Sequence, residues 1–217
     1  QELGQLDAAV KSYEKALVIE LHSLSQDNQT GHAEPFNNLG IVLKELGQLD
    51  TSINSYEKVL AIKPDFAEAH FNLGVTLQAL GQFDVAVKSF EKAIAIKPDY
   101  ADALTNLGSI LYVLGQPNAA VKCYMKALSI EPEYAEAHNN LGVTLDALGR
   151  FEDAEASYNR ALAIAPHFPE AHSNLGDLLT DLKRLDEALV SYETAFNLKP
   201  DITFMLGKLL HTKMHLC

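Results

Sequence analysis

The sequence has few basic residues: 17 Lys and Arg stand against 29 Asp and Glu, which gives a formal net charge of −12 over 217 residues. A nucleic-acid-binding groove needs a basic surface that replaces the counterions around the phosphates. The acidic balance therefore predicts a chain with no nucleic-acid partner. We expect most of these acids to lie on solvated outer faces of helices.

Cysteines, long apolar runs and nucleotide-binding loops are also scarce or missing. The two cysteines, Cys123 and Cys217, fit no CxxC pattern, and we expect both to be reduced, as in cytoplasmic chains. No apolar run reaches the roughly 18 to 20 residues that a membrane-spanning helix needs. Neither GxGxxG nor GxxxxGK occurs. We therefore expect a cytoplasmic chain with no membrane partner, and no cofactor, metal ligand or catalytic residue in this segment.

The sequence is rich in repetition, with one constant period that equals the step from Gly40 to Gly74. The motif NLG recurs at this spacing, and so do an aromatic residue and a proline. The three sets are Gly40, Gly74, Gly108, Gly142 and Gly176; Tyr56, Phe90, Tyr124, Tyr158 and Tyr192; and Pro64, Pro98, Pro132, Pro166 and Pro200. Recurrence of three independent positions through five copies is typical of a solenoid protein.

Each copy predicts two antiparallel helices. In the second copy, apolar residues at steps of four and three indicate a first helix; they are Leu73, Leu77 and Leu80. Gly81 is placed to end that helix in the left-handed conformation. A second helix then carries Phe90 and Ile96 toward the core until Pro98 ends it. Because one hairpin buries too little apolar surface to be stable alone, we predict an all-α, right-handed superhelical solenoid of helix-turn-helix repeats.

The same register predicts the domain boundaries. Residues 1–22 match the second helix of a truncated repeat, and residues 23–32 have the composition of an inserted loop. Residues 203–217 fall out of register and predict a linker or capping helix toward a missing C-terminal domain. The five full repeats between them are predicted at 33–66, 67–100, 101–134, 135–168 and 169–202.

The five NLG copies, each followed by IKPD or a close variant of it, resemble tetratricopeptide repeats over nearly the whole chain. The AEAHxNLG form at Ala67 and Ala135, with proline first at Pro169, and the tail FMLGKLLHTKMHLC are similar to protein O-linked N-acetylglucosamine transferases, including their Spindly-like and bacterial members. This resemblance implies an acceptor-polypeptide-recognition region of a glycosyltransferase that acts on Ser or Thr of proteins. A UDP-sugar or GDP-sugar donor would bind a transferase domain beyond Cys217.

One asparagine per repeat, directly before LG, lies on each predicted first helix. First helices line the concave face of such superhelices, and an amide offers two donors and one acceptor to a peptide backbone. We therefore predict a peptide-binding set that faces solvent, consisting of Asn38, Asn72, Asn106, Asn140 and Asn174. The alternative interpretation is that these amides bond neighbouring helices.

Two function classes remain open. The first is the acceptor-binding region of the transferase, which takes extended polypeptides or protein acceptors. The second is a free-standing adaptor that assembles protein complexes; in either class the chain could form a homo-oligomer. A chaperone-tail adaptor is disfavoured, because it needs basic groove residues to grip a carboxylate. His70, His138 and His172 share one repeat position, and we expect them to pack within the repeats, since one repeat length separates them too far to share a metal.

Overall fold

A computed structural model of the chain describes residues 33–200, 207–209, 212 and 214. Residues 1–22 and 23–32, most of 203–217 and Cys217 lie outside the described residues, so the predictions for them stay predictions. The described residues form two compact units that divide after Ile110. Each unit consists of helical hairpins, and no strand occurs in the described ranges.

Ten α-helices follow one another with short turns between them. They are α1 (Ala33–Glu45), α2 (Leu49–Ile62), α3 (Ala67–Ala79), α4 (Phe83–Ile96), α5 (Ala101–Val113), α6 (Pro117–Ile130), α7 (Ala135–Ala147), α8 (Phe151–Ile164), α9 (Pro169–Asp181) and α10 (Leu185–Leu198). Odd-numbered helices are the first helices of the repeats, and even-numbered helices are the second. The predicted all-α solenoid class is confirmed.

The turn within a repeat is closed as the sequence indicates. Gly81 has φ +72°, and its N–H donates to Gln78 O at 2.9 Å while the Gln82 N–H donates to Leu77 O at 2.9 Å. These bonds satisfy carbonyls that the end of α3 would otherwise leave without partners. A side chain at Gly81 would be strained at this φ, so the glycine fixes where the first helix ends.

The two helices of a repeat pack through one glycine and one aromatic ring. In the first unit, a Cβ added to Gly74 on α3 would lie 2.8 Å from Cε1 of Phe90 on α4, too close for a carbon atom. In the second unit, a Cβ on Gly142 would lie 2.6 Å from Cε1 of Tyr158. The repeated glycine is therefore needed because the ring of the repeated aromatic residue occupies the place of its side chain. Both rings are buried.

Two apolar residues of the predicted stripes lie further out than expected. Leu80 is 37% exposed and Ile96 is 39% exposed, so the expectation that Ile96 faces the core is wrong. Both stand at helix ends, Leu80 as the residue that follows α3 and Ile96 as the last residue of α4. At those ends the neighbouring turns leave part of the side chain uncovered.

Three departures from the repeat pattern have structural explanations. Ser52, in place of alanine, is buried and donates to Gly40 O at 2.7 Å. Glu155, where the other copies are apolar, forms an ion pair with Arg184 of the next repeat at 2.6 Å. Lys183, in place of the turn glycine, adopts φ +63°. The turn after α9 therefore keeps the shape of the other turns, whereas the loss of the glycine had suggested a looser turn.

The described residues from Gly207 onward are helical and belong to the second unit. Leu209 is buried in the same cluster as Tyr158, Leu178 and Tyr192. Thr212 is also buried, whereas Met214 is exposed. This segment therefore covers apolar surface of the last repeat.

Candidate functional site

The structure places the five predicted asparagines in different environments. Asn38 on α1 is exposed, whereas Asn106, Asn140 and Asn174 are half-buried. Asn72 on α3 is only 8% exposed. The expectation that these side chains face solvent is therefore wrong for Asn72.

Two of the five asparagines bond neighbouring first helices to each other. In the first unit, Asn72 Nδ2 donates to Asn37 Oδ1 at 3.1 Å. In the second unit, Asn174 Nδ2 donates to Asn139 Oδ1 at 3.0 Å. Each bond joins the first helices of consecutive repeats, which is the alternative interpretation left open by the sequence.

The remaining asparagines do not form a continuous set of free amides either. Asn106 Nδ2 donates to Asp102 O of its own helix at 2.9 Å. Asn140 Oδ1 accepts a hydrogen bond from Asn139 Nδ2 at 3.2 Å. A polypeptide backbone could reach such groups only in competition with these contacts.

The three histidines at one repeat position have the same contact. Nε2 of His70, His138 and His172 lies 2.9 to 3.0 Å from a proline carbonyl, that of Pro64, Pro132 and Pro166 respectively. Each ring therefore ties the turn between repeats to the first helix that follows it. Across the described residues, no group of three metal-ligating side chains converges.

A cavity of about 270 Å³ opens between first helices in the second unit. Its lining combines residues from the end of α5, from α7 and α9, and one tyrosine from α8. They are Tyr112, Val143, Asp146, Ala147, Tyr158, Asn174 and Asp177. Of the five predicted site residues, only Asn174 lines it.

The cavity is acidic, and its carboxylates are close enough to shift the pKa values of neighbouring groups. Burial raises the pKa of Asp146, and the negative charges of Asp181 and Asp177 raise it further. Burial also raises the pKa of Tyr158, with Asp146 and Asp177 adding to the shift. The surroundings therefore disfavour negative charge on either group, and a bound cation would relieve that penalty.

The prediction from sequence missed the acidic residues of this cavity, because it considered only positions at which all the repeats have the same kind of residue. Asp177 stands where the other copies have Ile41, Val75, Ser109 and Val143, and Asp146 stands where they have Lys44, Gln78, Tyr112 and Thr180. The sequence feature that could have identified them is the variation between repeats at these first-helix positions.

A second cavity, of about 380 Å³, lies in the first unit and is mainly apolar. It is lined by Leu60, Pro64, His70, Lys92, Ala95 and Ile96. The His70 ring nitrogen is already bonded to Pro64 O. This cavity offers fewer polar groups to a ligand than the acidic one.

Within the described ranges, none of the helices is both long and apolar enough to span a bilayer. Models of the tetratricopeptide repeat match residues 1–20, 40–81, 77–115, 99–167 and 147–202. Together these matches cover residues 1–20 and 40–202. A comparison with curated protein sequences found no match.

Several solved structures have the same fold. The protein TTC0263 of Thermus thermophilus, described as a thermophilic tetratricopeptide protein, is 27% identical with a TM-score of 0.68, covering 84% of this chain and 99% of that one. MamA is 26% identical with a TM-score of 0.67, covering 77% and 92%. YrrB, described as a tetratricopeptide protein with an unusual peptide-binding site, is 22% identical with a TM-score of 0.69, covering 94% and 99%.

These findings support the repeat resemblance and give no support to the narrower one. The matched models describe repeats, and the three structures carry no glycosyltransferase description. The matched region covers nearly the whole length of each of those three chains. The repeats alone therefore account for the similarity. The chain belongs to the tetratricopeptide-repeat family and has the architecture of a protein-binding scaffold.

Proposed function

We propose that this chain is a tetratricopeptide adaptor that assembles protein complexes by binding an extended segment of a partner polypeptide. The observation that carries the proposal is the cavity between α5, α7 and α9, whose lining includes Tyr112, Asp146 and Asp177 at positions that differ from repeat to repeat. Side chains that vary between repeats can make contacts specific to one partner sequence, which identical repeats could not supply. Recognition of a partner is then a property of this surface, while the repeated residues build the hairpins.

The adaptor accounts for the structure better than the acceptor-binding region of a transferase. A groove that accepts many acceptors through their backbones needs amides free to bond a peptide. Here Asn72 and Asn174 are engaged with Asn37 and Asn139 of the preceding first helices. The likeness to YrrB, whose description names a peptide-binding site, agrees with polypeptide binding and concerns the fold alone. The transferase role, with its UDP-sugar or GDP-sugar donor, remains a prediction about a separate domain.

The proposal is tested by selecting displayed random 12-residue peptides on the purified chain and measuring the enriched peptides by calorimetry. Ala147→Trp fills the cavity from its rim, and we expect it to weaken binding by about tenfold or more, because a contact that loses 1.4 kcal/mol loses a factor of ten. Ala163→Trp on α8, also at an exposed alanine, is the matched control and should bind as the parent does. Failure to enrich any peptide, or equal binding by the Ala147→Trp variant, would contradict the proposal.

A further inference from the structure

Three aspartates on the first helices of the second unit are near enough to interact electrostatically, although their side chains do not converge on one point. Asp146 is near the end of α7, and Asp177 and Asp181 belong to α9. The negative charges of Asp181 and Asp177 add to the effect of burial and raise the pKa of Asp146, so the other two carboxylates act on it electrostatically. Among the described residues, neither Asp146 nor Asp181 has an ion-pair partner. A cluster of acids is not by itself a binding site, so further observations have to show what it binds.

The first such observation is the hydroxyl of Tyr158. This side chain is 1% exposed and lines the cavity. At the same position one repeat later, the Tyr192 hydroxyl donates to Asp177 Oδ1 at 2.7 Å. The residue that corresponds to Asp177 beside Tyr158 is Val143, which cannot accept a hydrogen bond, and no other described residue bonds this hydroxyl. Because Tyr158 lines the cavity, its hydroxyl is open to a ligand that offers a hydrogen-bond donor.

The second observation is a lysine of the chain itself. Lys208 Nζ donates to Asp177 Oδ2 at 2.6 Å and lies 5.8 Å from the centre of the Tyr192 ring. The edge of the cluster therefore already holds one cationic side chain, between a carboxylate and an aromatic face. The same kinds of group, carboxylates and a tyrosine, are present at Asp146, Asp181 and Tyr158. None of these three forms an ion pair or hydrogen bond with a cationic side chain among the described residues.

We propose that this cavity binds a cationic side chain of the partner polypeptide, with arginine preferred to lysine. The guanidinium N–H groups donate to the Asp146 carboxylate and to the Tyr158 hydroxyl oxygen, which both line the cavity. The negative charge of Asp181, which acts on Asp146, adds to the attraction. Arginine fits better because its planar group directs five N–H donors at several acceptors at once, whereas lysine offers a single ammonium. The inference rests on the proposed function and adds the chemical class of the segment that is bound.

The test uses the most strongly enriched peptide from the selection described above. Replacing its arginine by citrulline, which keeps the shape and removes the charge, should weaken binding by about tenfold or more, since a hydrogen bond to a charged group is worth roughly 1.5 to 3 kcal/mol. On the protein, the double variant Asp146→Asn/Asp181→Asn should show a similar loss, and Tyr158→Phe a loss of about threefold or more. Thermal midpoints of the same samples separate a binding loss from unfolding.

A double variant on second helices, Glu57→Gln/Glu91→Gln, is the matched control. It changes the net charge equally at two exposed positions and should leave binding unchanged. Enriched peptides that lack a basic residue, or that bind the aspartate variant as tightly as the parent, would overturn this inference and leave the adaptor function standing. Absence of any enriched peptide would contradict the adaptor itself. Spermidine that binds more tightly than the arginine peptide would show that the site takes a free polyamine, which also overturns the inference.

Discussion

One repeat position holds an asparagine in all five copies, yet that residue does different work in different repeats. Asn72 and Asn174 join neighbouring first helices, whereas Asn106 bonds its own helix. What decides the contact is the residue at the preceding position one repeat earlier. That residue is Asn37 for Asn72 and Asn139 for Asn174, but Phe71 for Asn106, and a phenylalanine cannot accept the amide.

The buried amide pair makes a prediction about stability. Asn72→Ala should destabilise the protein by about 1 to 3 kcal/mol, because it leaves the buried Asn37 Oδ1 without its donor. Asn38→Ala, the same change at the same repeat position but exposed, should stay within about 0.5 kcal/mol of the parent. Urea unfolding measures both. If the two variants have equal midpoints, the amide pair contributes nothing to stability and the asparagines regain the predicted role in binding.

Asp146 makes a prediction about pH. Its pKa in the folded protein is raised by burial and then by Asp181 and Asp177, so folding favours the protonated carboxyl. The stability cost of its charge is therefore present at neutral pH and disappears as the pH falls through the raised pKa toward the ordinary value of 3.8. We expect Asp146→Asn to be more stable than the parent at pH 7, with the difference lost once the pH is below that ordinary value. A parent that is more stable than the variant at pH 7 would show that a counterion within the protein already satisfies this carboxylate.

At the scale of helices and turns, most of the structure could be predicted from the sequence. Gly81, Phe90 and Pro98 fix the turn, the packing between helices and the end of the second helix through local conformation and volume, and equivalent residues recur in nearly every copy. The cavity could not be predicted in the same way, because it depends on which non-repeated side chains meet across α5, α7 and α9. Asp146 and Asp177 belong to different hairpins, and only the stacking of those hairpins brings them to one cavity.

The turn after α9 makes a prediction about backbone strain. Lys183 has φ +63°, close to the +72° to +74° of the four glycines at the equivalent position. A side chain in the left-handed region costs roughly 1 kcal/mol, so Lys183→Gly should stabilise the protein by up to about that amount. Gly149→Ala, the reverse kind of change at φ +73°, should destabilise it. Thermal unfolding that places Lys183→Gly below the parent would contradict the account of this turn.

The crossing of neighbouring helices makes a prediction about packing. Ala120 on α6 is fully buried, at the repeat position held by Ala86, Ala154 and Ala188 in other copies. Ala120→Leu should destabilise by about 1 to 3 kcal/mol, since a close-packed site has no room for three further carbon atoms. The exposed Ala163 is the control, and its change to Leu should have little effect. A urea midpoint for Ala120→Leu equal to that of the parent would show that this buried site has room for a larger side chain.

At the scale of the whole molecule, two kinds of residue divide the work. Those that recur in every repeat build the hairpins, and those that vary give the second unit an acidic cavity that the described part of the first unit does not share. The acidic net charge of −12 then favours encounters with basic partners through long-range attraction. An adaptor with this division of labour binds through one part of its surface, while the remaining repeats serve as scaffold.

The most direct test of this account is to map the bound peptide on the protein by NMR. Titrating the enriched peptide into the isotope-labelled chain should shift the backbone amide signals of the cavity residues Tyr112, Asp146, Asn174 and Asp177, and of the neighbouring Asp181. Signals from exposed second-helix positions such as Val85 and Met125 should stay in place. Shifts concentrated on those second helices, with the cavity signals unmoved, would contradict the claim that this protein recognises partners through its first-helix surface.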